Sequence, residues 1–207
     1  MSDADTGERS RPNLELWAAI ILGAAALLTA FSAYKAALKD GDALQGYSQS
    51  TALLSDANFF YSQANQTFAQ DQAMFLQYAV AVTEGNTDVA EYVRTSLMRP
   101  ELQAAIFWFE EDPDAATPFD EAEGNPYVID DLEEANRLQE ESTARFEEGS
   151  TADEEGDKFE LANVFLAASL FFAGIGTLFS RSPVQMAMLA IGVIGLGIGA
   201  VTLVTAL

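Results

Sequence analysis

Carboxylates are the most abundant side chains in this sequence that could bind a ligand or assist a reaction, with 32 Asp and Glu against 10 Lys and Arg. One acidic run extends from Glu110 to Glu123 among prolines and a glycine, which are typical of a loop. Loop carboxylates can wrap a hard cation such as Ca²⁺. The spacing is not that of an EF-hand, because no Asp-x-Asp-x-Asp-Gly run precedes a closing Glu.

A second acidic cluster lies directly before the second apolar run of the chain and consists of Asp153, Glu154, Glu155 and Asp157. In a symmetric oligomer these side chains would form a ring that concentrates cations at a pore mouth. In a monomer they would form a solvated collar, which is the ordinary state of a charge run. The cluster is the candidate cation site of the sequence, and both interpretations stay open.

The sequence contains neither His nor Cys. Thiolate zinc sites, disulfides, imidazole bases and Cys-His or Ser-His nucleophiles are therefore excluded. Paired carboxylates for glycoside hydrolysis need an organised cleft, which no sequence pattern indicates. We predict no catalytic residues and no cofactor, and expect the protein not to be an enzyme.

Three apolar runs, residues 16–37, 159–179 and 184–207, determine where the acidic side chains can lie, and their only charged residues, Lys35 and Glu160, are close to one end of a run. Each exceeds the roughly 18 residues that cross a hydrocarbon core as a helix. We predict a multi-pass protein of the cell membrane with a polar tail, 1–15, and an extramembrane domain, 38–158. The runs lack the intramembrane charges that usually mark a transport path.

The negative charge is concentrated in the extramembrane domain. Between Lys35 and Glu160 there are 28 Asp or Glu and 7 Lys or Arg, a net charge of -21 out of -22 for the chain. Such a surface repels nucleic acid and anionic headgroups and attracts cations. We predict no nucleic-acid partner, and a solvated acidic face of the kind expected in a salt-loving organism.

Two rows of residues at seven-residue spacing predict a pair of long helices. The first row consists of large residues and the second of small residues, so the two helices could interlock. These rows indicate an all-α membrane protein whose first and second spans are joined by a long antiparallel helical hairpin. Alternatively, the two glycines of the small row break the second helix, since each costs about 1 kcal/mol relative to Ala. The rows are Tyr47, Leu54, Tyr61, Phe68 and Phe75, and Ala135, Ser142, Gly149 and Gly156.

The connection between these helices is too long and too apolar to be a simple turn. Short helices are predicted over 87–98 and 101–110, with Pro100 at the start of the second. Residues 111–127 are predicted to be a loop. We expect these pieces to fold back as a small helical cap.

The third span carries Gly192, Gly195 and Gly199, whose spacing lets helix backbones approach closely in lipid. These glycines either pack the spans of one chain together or support self-association. The basic residues that flank the spans do not decide which side the acidic domain faces.

Several short motifs, in this order, resemble a family of small prokaryotic membrane proteins known as a domain of unknown function. The resemblance covers the chain from the first span to the last and supplies no catalytic residues. It implies that the loop before the third span is cytoplasmic and the acidic domain extracellular. The motifs are Tyr61-Ser62-Gln63-Ala64-Asn65-Gln66, Asp71, Pro118-Phe119, Tyr127, Asp157 and Leu170-Phe171-Phe172-Ala173-Gly174-Ile175.

Two classes of function fit these patterns. One is an interaction or scaffold module that presents its acidic domain to a protein partner or to a second copy. The other is an oligomeric cation channel with the acids before the second span as its vestibule. Particle symmetry separates them, because a pore needs a ring of subunits.

Overall fold

The computed structural model describes residues 14–179 and 182–207, and all regular structure in these ranges is helical. Most of the predicted tail, 1–15, lies outside the described residues, as do Ser180 and Arg181 between the second and third spans. Residues Val93–Leu97 form a π-helical turn that continues the second helix. The helices are α1 (Leu14–Thr83), α2 (Thr87–Tyr92), α3 (Pro100–Glu111), α4 (Asp130–Gly176) and α5 (Ser182–Ala206).

The short helices begin and end where local chemistry dictates. Helix α1 ends at Thr83, and the φ of 72° at Gly85 lets the amides of Gly85 and Asn86 reach back to Val82 and Ala81. The Asn86 side chain then accepts from the amide of Val89 and caps α2. Pro100 occupies the first turn of α3, where its missing N–H costs nothing.

Helices α1, α4 and α5 are each long and apolar enough to cross a membrane. In the most apolar 18-residue window of each, only 22%, 33% and 22% of the residues are buried within the chain. The exposed apolar side chains in these windows would be costly to hydrate, whereas lipid accommodates them. These helices are consistent with a multi-pass membrane protein.

The described residues divide into two compact units, one built from residues up to Ser48 together with Arg145–Leu207, the other from Gln49–Ala144. In the first unit the three apolar segments pack against one another. Buried serines bond to the backbone of neighbouring helices: Ser32 donates to the carbonyl of Phe159 at 2.8 Å, and Ser169 to that of Gly192 at 2.7 Å. Each hydroxyl thereby avoids being buried without a partner.

The predicted glycines of the third span face α4 of the same chain. A β carbon added at Gly192 would lie 3.3 Å from the amide nitrogen of Ala173, and one at Gly195 would lie 3.2 Å from the carbonyl oxygen of Phe165. At Gly199 it would lie 2.8 Å from the side chain of Leu166. Absence of a side chain at these positions lets the two helices approach closely.

Small residues also line the contacts between α1 and α4 beyond the apolar segments. In the first unit, Gly46 lies against Gly149 so closely that a β carbon on Gly46 would be 2.7 Å from the Cα of Gly149. In the second unit, the hydroxyl groups of Ser50 and Ser142 lie 3.1 Å apart, and Ser142 donates to the Ser50 carbonyl.

The structure buries all four residues of the predicted small row, and α4 is continuous through Gly149 and Gly156. On α1 a row of mostly small residues is buried, and the large row lies beside it, with Leu54 exposed and the other four half-buried. The contacts between the helices are therefore made mainly by small residues on both sides. The buried row on α1 is Ala36, Ala43, Ser50, Ala57, Ala64 and Asp71.

We expect Gly46→Ala to destabilise the protein by about 1 to 3 kcal/mol, because its methyl group would meet the backbone of α4 and force the helices apart. The matched control is Gly41→Ala on the same helix, whose added methyl group meets no atom within 4 Å. Gly41→Ala should stabilise the protein by about 1 kcal/mol through helix propensity alone. Thermal unfolding of both variants in detergent, followed by circular dichroism, measures the difference; equal shifts would contradict the close approach.

Candidate functional site

The segment between α1 and α4, residues 84–129, folds onto the end of α1 within the second unit. Its core consists of Val93, Met98, Leu102 and Ile106, and side chains of α1 such as Met74 and Phe75 pack against it. Leu102 and Ile106 are completely buried. We call residues 84–129 the cap segment.

Phe119 lies at the centre of an aromatic cluster that joins the cap segment to α1. Its ring packs edge to face with those of Phe68, Phe75 and Tyr127, at centroid distances of 5.4, 5.8 and 4.9 Å. Phe75 also packs edge to face with Phe109 at 5.9 Å. Edge-to-face pairs add to the stability that burial of the rings supplies. Two members of the predicted large row, Phe68 and Phe75, thus contact the cap segment.

A buried charge lies next to this cluster. Asp71 of α1 is 5% exposed, and its Oδ2 atom accepts two hydrogen bonds. The Arg99 Nε atom donates at 2.6 Å and the Tyr127 hydroxyl at 2.8 Å. Arg99 also donates to Glu101 at 3.1 Å, and its guanidinium carbon lies 5.1 Å from the centre of the Tyr127 ring. Three separate segments therefore meet at one carboxylate.

The electrostatics of this centre favour a charged arginine and a neutral tyrosine. Burial opposes the charge on Arg99, but hydrogen bonds and attraction to Asp71 outweigh it and raise the pKa of Arg99. Burial and the hydrogen bond to Asp71 raise the pKa of Tyr127. Within the described part of the chain the Arg99 Nη2 atom is buried without a hydrogen-bond partner. The centre is a structural ion pair in which the tyrosine remains a donor.

Residues 112–129, between α3 and α4, form the acidic loop of the cap segment, and side chains of the loop itself hold its conformation. The Asp120 carboxylate accepts from the amides of Ala116 and Thr117 and from the Thr117 hydroxyl, at 2.7 to 3.0 Å. These bonds lower the pKa of Asp120, the Thr117 side chain contributing most. The Asn125 amide donates to the carbonyls of Pro118 and Asp120. The loop is thereby fixed in the conformation that places Phe119 against α1.

A cavity of about 670 Å³ lies between this loop and α1. Its walls include the rings of Phe68, Phe119 and Tyr127, and its acidic side is formed by Asp120 and Glu121. None of the described residues that line it is Lys or Arg. The cavity therefore combines aromatic surface with negative charge.

A second concave surface, separate from this cavity, is mainly apolar. It has a volume of about 370 Å³ and is formed by the end of α1 and by α2. Leu76, Val80 and Val89 line it and are 64%, 47% and 45% exposed. We call it the apolar groove; its polar members are Gln77, Glu84 and Asn86.

Within one chain the acids predicted as a cation site do not converge, and their ring in an oligomer stays a prediction. Glu155 pairs with Lys39 of α1 at 2.5 Å, and this pairing lowers the pKa of Glu155 and raises that of Lys39. Asp153, Glu154 and Asp157 are exposed on α4. Across residues 14–179 and 182–207, no three Asp or Glu side chains are grouped so as to hold a metal ion.

Sequence reasoning missed the pairing of Asp71 with Arg99, although a signal was present. Arg94, Arg137 and Arg145 each have an acidic partner three or four residues away. Arg99 has none at those distances; it pairs with Glu101, two residues on, and with the distant Asp71. Four residues of the family resemblance, Asp71, Pro118, Phe119 and Tyr127, lie together in the second unit at this centre or in the loop beside it.

Comparison of the chain with protein-family models, with characterised proteins and with solved structures finds no match.

We expect Asp71→Asn to destabilise the second unit by about 3 kcal/mol, because the loss of one partner leaves the Arg99 charge half-buried and poorly compensated. The control is Glu134→Gln, which removes an exposed partner of Arg137 and should change stability little. Chemical denaturation of the two variants gives both values. If Asp71→Asn lowers the stability no more than Glu134→Gln does, the buried pair does not hold the cap segment.

Alkaline pH should weaken the attachment of the cap segment to α1 through Tyr78. Burial, and next the hydrogen bond to Glu110 at 2.6 Å, raise the pKa of Tyr78 from 10.0 to about 12. The folded state favours the neutral phenol of Tyr78. The stability that this preference adds to the folded state is therefore complete below pH 10 and is lost as the pH rises to about 12. Tyr78→Phe should therefore reduce the fall in stability across this range.

The tyrosinate absorbance of the wild type and of Tyr78→Phe, recorded with thermal midpoints at each pH, tests this expectation. The variant should lose the absorbance component that titrates near pH 12. Identical titration curves would contradict the assignment.

Proposed function

We propose that this chain is a non-enzymatic, multi-pass membrane protein that presents an acidic helical domain to a protein partner. The apolar groove carries the proposal, since it is an exposed apolar surface within a segment of strongly negative charge. Concave apolar surfaces bordered by polar residues are typical of interaction sites.

In this proposal α1 and α4 form an antiparallel helical hairpin, and the cap segment connects the two helices. The helix contacts support this arrangement: Gly46 lies against Gly149 in one unit, and in the other Ser50 contacts Ser142 while Tyr61 donates to Asn136. Residues with higher numbers on α1 contact residues with lower numbers on α4, as expected for antiparallel helices.

The charge of the domain favours a basic partner. Residues 35–160 carry a net charge of -21, so a second copy of the chain would meet repulsion at this surface. A segment with basic residues beside apolar ones would be attracted to the domain and could bury its apolar side chains against Leu76 and Val80. We therefore propose a basic, amphipathic protein segment as the occupant of the groove.

We further propose that the chain belongs to the family its motifs resemble, and that the acidic domain is extracellular. The resemblance and the two arginines before the first span, Arg9 and Arg11, support this orientation.

A photo-crosslinking amino acid placed at Val80 in cells should give a discrete adduct with another protein. The same residue at Leu54, which is also exposed on α1 but lies outside the groove, is the control and should give none. Leu76→Gln, which makes the groove more polar, should reduce the adduct at Val80. Raised salt should reduce it further if charge assists docking.

Four outcomes would contradict the proposal. No adduct at Val80, or equal adducts at Val80 and Leu54, would remove the groove as a docking surface. An adduct with twice the mass of the chain would show self-association instead. A ring-shaped particle of several subunits with cation conductance in vesicles would favour the channel.

A further inference from the structure

We propose that the cavity between α1 and the acidic loop binds a small organic cation with an alkylated ammonium group. The inference is independent of the partner proposed for the apolar groove, since the two surfaces share no lining residue. It depends on the coincidence of aromatic walls, an acidic side and the absence of basic residues among the described residues that line the cavity.

The aromatic walls supply the first requirement. Phe68, Phe119 and Tyr127 all line the cavity, and their mutual edge-to-face packing fixes the orientation of each ring. Aromatic rings attract cations through their negative faces, and quaternary ammonium groups are typically bound in this way. The Arg99 guanidinium already lies 5.1 Å from the centre of the Tyr127 ring and occupies one of its faces, so an added cation would contact the other rings of the wall as well.

The acidic side supplies the second requirement. Asp120 and Glu121 both line the cavity. Asp120 is held in place by Thr117 and by two backbone amides, whereas Glu121 is exposed at the surface. Arg99 does not oppose a bound cation strongly, because its charge is balanced by Asp71 and Glu101. A monovalent cation in the cavity would therefore meet a net negative environment.

The nature of the walls selects an alkylated cation over a metal ion. A metal ion needs several oxygen ligands in one place, and no such group is present among the described residues. The volume of about 670 Å³ falls in the range of small-molecule sites. Methyl groups around a nitrogen would fill apolar space at Ala64 and Ile129 while the charge faces the carboxylates.

Isothermal titration calorimetry of the full chain in a maltoside detergent tests the proposal with choline and with 3,3-dimethylbutanol. The second compound has the same shape, but carbon replaces its charged nitrogen. Choline should bind with millimolar or tighter affinity, and the neutral compound should bind at least about fivefold more weakly. Glycerophosphocholine, which adds a phosphate that the acidic side repels, distinguishes a free cation from a lipid headgroup and should also bind more weakly.

Matched variants locate the site. Glu121→Gln should weaken choline binding about threefold to tenfold. Glu123→Gln, on the same loop but not in the cavity wall, should leave it unchanged. Phe68→Leu should weaken binding, whereas Phe59→Leu, at an exposed ring on the same helix, should not. The unfolding midpoint of Phe68→Leu shows whether the cavity remains folded. If the cavity does not remain folded in this variant, the two glutamate variants decide whether choline binds there.

Absence of choline binding would overturn the proposal, and equal affinity for the neutral compound would reduce the cavity to an apolar pocket. Equal weakening by Glu121→Gln and Glu123→Gln would assign the effect to the general charge of the domain. Tighter binding of glycerophosphocholine than of choline would replace the free cation by a lipid headgroup.

Discussion

A buried carboxylate must be paired, and this constraint fixes the arrangement of the second unit. Asp71 lies on a face of α1 that is otherwise lined by small residues, so its charge cannot be solvated without moving the helix. Arg99 and Tyr127 both bond to its Oδ2 atom, and they come from separate parts of the cap segment. Once these bonds form, the start of α3 and the end of the acidic loop are both attached to α1, and Phe119 is enclosed between them.

The same face of α1 explains how the helix changes partner along its length. Ala57 and Ala64 are buried small residues, and Ser50 contacts Ser142 of α4. Seven residues beyond Ala64 the small residue is replaced by Asp71, where the contacts are made by the cap segment. One buried row thus continues through both environments, and the residue type at each position reflects what lies opposite.

Much of this architecture could be predicted from the sequence because it depends on local patterns. Apolar runs, the absence of Pro and seven-residue spacing determine helices; α2 follows its cap Asn86 and α3 begins at Pro100, as capping chemistry predicts. The large row was the more obvious pattern, yet closest approach requires small residues on both helices, as at Gly46 and Gly149. The cavity could not be predicted, because it depends on how the loop is held by Asp120 and on contacts between residues distant in sequence.

The distribution of basic residues gives the acidic domain its character. With only 7 Lys or Arg against 28 Asp or Glu in residues 35–160, each cation compensates a small part of the repulsion. Arg137 and Arg145 pair within α4, whereas Arg99 and Lys39 connect separate segments of the chain. The cations that join segments are therefore used for folding, and the carboxylates beside the cavity are left without a basic neighbour in its wall. An external cation that binds there would relieve repulsion that the chain itself does not compensate.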